Sequence, residues 1–160
     1  MPTSADSFDL ATGANMPWTE GSKAHQSNPQ DSTREERWLL AQDVNISEAN
    51  ASTLAQDPDD AIASALATNY SVSRSVLAEL AERRPDLRPL IASNVNAPAD
   101  IKEELPLRQH VESSLTEYLA DQDASPTQRT ELRALFLEAI RNGDDQMTLA
   151  NAWAIVSDGI

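Results

Sequence analysis

Apolar positions along this chain fall into short helical stripes separated by small polar clusters, and part of that pattern repeats. Ala41-Gln42-Asp43, Ala67-Thr68-Asn69 and Ala92-Ser93-Asn94 open three copies, 26 and 25 residues apart. A leucine stands thirteen residues after each opening alanine: Leu54, Leu80 and Leu105. In the first copy Ser47 precedes a helical face of Ala51, Leu54 and Ala55. Pro58 then opens a second segment with Ile62, Ala65 and Leu66 at helical spacing. The second copy runs Ser73, Leu77, Leu80 and Ala81, then Pro85, Leu87, Leu90 and Ile91. Proline suits a first helical position because its missing N–H has no helical partner to lose. The third copy reaches Ile101 and Leu105, but Pro106 replaces the alanine that follows the leucine in the first two. A period of this length marks stacked units, each covering its neighbour's apolar face.

Outside the repeats the pattern divides the chain again. Residues 1–32 hold Ser, Thr, Asn, Asp, Gly and Pro with hardly an apolar pair, a composition that does not offset the entropy of ordering. A disordered arm is expected there, with Met16-Pro17-Trp18 as its apolar exception. Order is expected to begin at Ser32 or Thr33, either of which caps a short helix ending in Trp38, Leu39 and Leu40. Three further helices are predicted in 106–160. Leu107, Val111, Leu115, Tyr118 and Leu119 form the first stripe. Ser125-Pro126-Thr127-Gln128 is a capping box opening a helix lined by Leu132, Leu135, Phe136, Ala139 and Ile140, which Asn142-Gly143 ends. Asp144 or Asp145 caps the last helix, with Met147, Ala150, Trp153, Ala154 and Ser157 on one face. Leu149, Ala152, Ile155 and Val156 lie off that stripe, so this helix is either wholly buried or meets another surface. The expected domains are therefore a 1–32 arm, 33–105 repeats and a 106–160 three-helix cap.

The stretch from Asn69 to Ala81, followed by Arg84-Pro85-Asp86-Leu87-Arg88-Pro89-Leu90-Ile91-Ala92-Ser93-Asn94, resembles the bacterial variant leucine-rich repeat family, above all its actinobacterial branch. Leu54-Ala55 and Leu80-Ala81 match the leucine-alanine pair that ends the family's first helix; Leu105-Pro106 departs from it. The resemblance spans residues 41–105. It implies an all-α, right-handed superhelix of alternating α and 3₁₀ helices, without strands and without a defined activity. Some members carry an iron–sulfur cluster in a cysteine-rich segment; this chain has no cysteine, so that feature is not carried over.

Composition narrows the classes of function. Formal net charge is −14, and only 4% of residues are aromatic. Such an acidic surface disfavours direct nucleic acid binding and anionic membranes, because phosphate contacts need cations. It suits either simple solubility or a basic protein partner. The lack of cysteine excludes disulfides and thiolate chemistry and sits easily with a cytoplasmic location. No stretch approaches the ~20 apolar residues of a membrane span. The start of the chain has neither the basic residues nor the apolar run of a secretory signal.

No catalytic constellation emerges, and no cofactor or metal is expected. Gly13, Gly21, Gly143 and Gly159 are too scattered for a phosphate-cradling loop. His25 and His110 do not form a zinc pair, and His110 reads as a surface or satisfied helix residue. Asp57, Asp59 and Asp60 lack the glycine and distal glutamate of a calcium loop and read as helix N-terminal carboxylates. Arg74, Arg83, Arg84 and Arg88 cluster in the second copy. They serve either intramolecular pairing or a contact with a small anionic group.

Together these features point to a non-enzymatic protein-interaction module. Its candidate partner-binding residues are Arg74, Arg84, Arg88, Trp153 and Ile155, with homodimerisation through the last helix as one route. The alternative is an acidic inhibitor or antitoxin-like protein occupying the nucleic-acid site of a basic partner.

Overall fold

The computed structural model describes residues 28–158, and among them the fold is all-helical. In chain order the helices are α1 Arg34–Ala41, α2 Glu48–Leu54, α3 Asp60–Thr68, α4 Arg74–Arg83, α5 Arg88–Ala92, α6 Ala99–Lys102, α7 Glu112–Asp121, α8 Pro126–Asn142 and α9 Leu149–Ser157. Short 3₁₀ turns occupy Pro29–Asp31, Pro85–Leu87 and Leu107–Gln109. The only β pairing among the described residues is an isolated antiparallel bridge between Pro106 and Thr148. Met16-Pro17-Trp18, Lys23, His25 and the rest of 1–27 lie outside the described residues. Residues 28–32, assigned by sequence to the arm, form a turn capped by the Asn28 side chain, with Pro29 buried.

Side-chain caps start three of the described helices where the pattern placed them. Thr33 and Glu36 form a reciprocal capping box on α1, Ser47 caps α2, and Ser125 with Gln128 closes the box on α8. Each such cap satisfies backbone N–H groups that have no partner within the helix. Gly143, at φ +64°, ends α8 in the left-handed region that glycine enters without steric cost. Three starts differ from expectation. Asp59, not Pro58, caps α3, accepting from Ala61 N and Ile62 N. Ser73 stands at the start of α4 but turns its hydroxyl to Glu48 (3.1 Å). Thr148 caps α9, while Asp144 accepts from Gln146 N and Met147 N in the preceding turn.

Buried apolar residues gather into two cores. The first runs from Leu40 to Leu105 and contains the repeat positions Ala51, Leu54, Ile62, Leu66, Leu77, Leu80, Ile91 and Ile101. The second holds Leu107, Leu115, Tyr118, Leu119, Leu132, Phe136, Leu149, Ala152 and Val156. Each leucine or isoleucine so enclosed stabilises the fold by roughly 1.5–3 kcal/mol. The cores meet at Pro106, where Leu149 N donates to Leu105 O, Leu107 N to Met147 O and Ala150 N to Glu103 O.

The C-terminal helices bury different faces from those expected. In α9 the enclosed stripe is Leu149, Ala152 and Val156, with Trp153 half-buried; Ala154 and Ile155 face solvent. With apolar residues nearly all round, periodicity alone does not choose a face. Ile140 and Val111 are exposed too, because α8 turns Leu132, Phe136 and Ala139 inward and Val111 precedes α7.

Candidate interaction surface

A ladder of asparagine side chains binds each repeat opening to the one before. Asn69 Nδ2 donates to the carbonyls of Ala41 and Asp43, both at 2.9 Å. One repeat later, Asn94 Nδ2 donates to those of Ala67 (2.8 Å) and Asn69 (3.1 Å). Each side-chain oxygen accepts from the backbone N–H two residues on: Asp43 from Asn45, Asn69 from Ser71, Asn94 from Asn96. Asn96 adds a second rung to Tyr70 O (2.7 Å) and Val72 O (3.1 Å). Loops carry backbone polar groups that helices satisfy internally, and here the amides serve them. The ladder places loops 42–47, 68–73 and 93–98 side by side as one edge.

That edge differs chemically from the rest of the chain. Across its three loops the one charged side chain is Asp43. Val44 and Tyr70, which follow the ladder residue in successive loops, are 72% and 66% exposed. Between them lies a groove of about 280 Å³, lined by Gln42, Val44, Ala65, Thr68, Asn69, Tyr70 and Ser71. Val95, at the same place in the third loop, is half-buried. Sequence reading passed over this edge because a lone exposed valine or tyrosine carries no signal. The signal lay in their shared position after the ladder residue.

The residues singled out by sequence lie elsewhere. Arg74 pairs with Asp121 (2.7 Å), Arg84 with Asp86 (2.8 Å) and Asp60 (3.0 Å), and Arg88 with Glu104 (2.6 Å). These carboxylates hold Arg84 and Arg88 above the ordinary arginine pKa, chiefly by accepting guanidinium hydrogen bonds at Asp86 and Glu104. Arg83 reaches Glu79 at 3.8 Å. Asp57 and Asp59 take Arg37 and Arg34, so all three aspartates of that group face arginines. Among the described residues no three His, Cys, Asp or Glu side chains gather as a metal would require. Trp153 meets the Tyr118 ring edge-on, centroids 5.9 Å apart, while Ile155 stands 57% exposed.

At the seam between the cores the structure buries polar groups. His110, expected as a surface or satisfied helix residue, follows the 3₁₀ turn, is only 4% exposed and bonds Lys102 O through Nε2. Burial pushes its imidazole down to about 4. Lys102 is fully enclosed, and burial lowers its ammonium from the ordinary value. Its Nζ donates to Val95 O at 2.7 Å. Val95 holds the place that Tyr70 holds one repeat earlier, so Lys102 fills the position of the next asparagine rung. The Tyr118 hydroxyl donates to Glu103 (2.7 Å). Burial, then the neighbouring carboxylate, raises its pKa.

Comparison with family models, with curated proteins and with solved structures returns no match. No helix among the described residues is long and apolar enough to cross a membrane.

Proposed function

We propose that the protein is a non-enzymatic interaction module that presents loops 42–47, 68–73 and 93–98 to a protein partner. The observation carrying this reading is the exposed pair Val44 and Tyr70, at equivalent repeat positions on either side of one groove. An edge almost without charge, on a chain of net charge −14, suits an uncharged partner segment with apolar side chains and main-chain hydrogen-bonding groups. The resemblance to variant leucine-rich repeats supports the same reading, since stacked repeats present extended binding surfaces. Pairing of Asp57, Asp60, Asp86, Glu104 and Asp121 with arginines counts against rows of free carboxylates imitating nucleic acid.

The test places a photo-crosslinking residue at Tyr70, and separately at Ile155, in the full chain within lysate of its source cells. Partner binding at the edge predicts a protein adduct from position 70 that persists at ~0.5 M salt, where surface charge attraction is screened, and disappears with Val44→Asp. An adduct lost at that salt supports the acidic inhibitor. Self-adducts from position 155 alone support a homodimer through α9. Absence of any adduct at 70 overturns the proposal.

A further inference from the structure

Where the two cores meet, three side chains that ordinarily face water are enclosed together. Lys102 and Ser114 are fully buried and His110 nearly so. Lys102 Nζ lies 3.5 Å from Ser114 O, and His110 Nε2 lies 3.1 Å from Lys102 O. A carbonyl only accepts, so Nε2 carries the ring proton. That leaves Nδ1 bare, buried and without a partner. The ring thus holds the end of α6, just before two backbone hydrogen bonds that join the cores, Leu149 N to Leu105 O and Ala150 N to Glu103 O.

We propose that this seam is an acid-operated joint: proton uptake at Nδ1 of His110 loosens the C-terminal core from the stacked repeats while each core keeps its own packing. The neutral ring fits the enclosure. A protonated ring adds a second buried cation beside Lys102 and a new N–H donor. The carbonyls of Lys102 and Leu105 favour the charged ring, but burial outweighs them, and the Lys102 charge works in the same direction as burial.

No carboxylate of the surrounding elements pairs with His110. Just after α6, Glu103 accepts the Tyr118 hydroxyl, and Glu104 pairs with Arg88, whose field also includes Asp100. Arg108, in the 3₁₀ turn, and Asp145, before α9, pair with each other, with Asp144 alongside. On α7, Glu112 faces Arg133 and Asp121 faces Arg74, while Glu117 acts on Lys102.

The folded pKa of about 4 lies below the ordinary 6.5. The stability contributed by the neutral buried ring is therefore present above pH 6.5 and is lost as pH falls towards 4. For an opening that frees the ring, linkage gives a shift of roughly 60-fold between pH 7 and pH 4.5.

Amide hydrogen exchange on the full chain, read as protection factors at pH 7 and pH 4.5, tests the joint. Leu149 and Ala150 are expected to lose about 60-fold protection, while Ala63 and Leu77 in the repeats keep most of theirs. In His110→Gln, which retains an amide donor but does not titrate there, the two seam amides are expected to change far less. Equal loss in the variant, or simultaneous loss of seam and repeat amides, overturns the proposal. Should the variant not fold, the imidazole titration of His110 in the native chain, followed by NMR, decides. A midpoint near 4 with seam opening supports the joint, and one at 6 or above refutes it.

Discussion

Asn94 donates its side-chain amide to the carbonyl of Asn69, the residue that holds its own place one repeat earlier. The same amide reaches Ala67, and Asn69 reaches back to Ala41 and Asp43. The repeats are therefore tied through main chain at their openings as well as through leucines in the core.

Asn94→Ala strips the buried Ala67 carbonyl of its side-chain donor and Asn96 N–H of its acceptor, each at a desolvation cost, while the Asn69 carbonyl keeps Val72 N. A loss of about 2–4 kcal/mol is expected in urea unfolding. Asn96→Ala, at a half-exposed site where water replaces the amide, is expected to cost about 1 kcal/mol.

Tyr118 links α7 to Glu103, and its raised pKa sets an alkaline signature. The folded hydroxyl keeps its proton above pH 10, where the unfolded one loses it. That contribution is complete below pH 10 and is lost as pH climbs beyond it. Tyr118→Phe keeps the packing on Trp153, loses about 1–2 kcal/mol at pH 7 and flattens the fall above pH 10. Urea midpoints at pH 8 and pH 11 check both effects.

Adjacent residues of α9 are expected to respond oppositely. Val156 is 3% exposed and Ile155 is 57% exposed. Val156→Ala is expected to cost about 1–2 kcal/mol through lost burial, whereas Ile155→Ser stays within about 0.5 kcal/mol of the native chain. Thermal unfolding of the two variants distinguishes the observed face from the one centred on Ala150 and Ala154.

The ends of α8 separate side-chain capping from backbone strain. Ser125→Ala removes an acceptor from Gln128 N and is expected to cost about 1 kcal/mol. A Cβ at Gly143 meets nothing within 4 Å. The expected loss of about 1 kcal/mol in Gly143→Ala is therefore purely conformational, from φ +64°. Both losses are measurable by denaturant midpoint.

Much of the helical architecture was legible because it rests on local chemistry. The spacing of Leu54, Leu80 and Leu105, the Thr33, Ser47 and Ser125 caps and the Gly143 stop each act within a few residues of their position. What escaped depends on distant partners. Arg74 finds Asp121, and Lys102 loses its solvent to α7, through approaches that no nearby residue announces. The face of α9 escaped for another reason: on a helix apolar all round, only its neighbours, α8 and Tyr118 of α7 among them, select what is buried. Candidate-site reading fared similarly. The arginines stood out by charge and proved ion-paired, while Val44 and Tyr70 stood out only once the ladder aligned their loops.

Every rung of the asparagine ladder ends on a main-chain carbonyl, so it consults no side chain of the repeat it grips. Lys102 then occupies Val95 O, the acceptor that another asparagine would require. The joining chemistry is therefore generic: each rung asks of the preceding unit nothing but main-chain carbonyls.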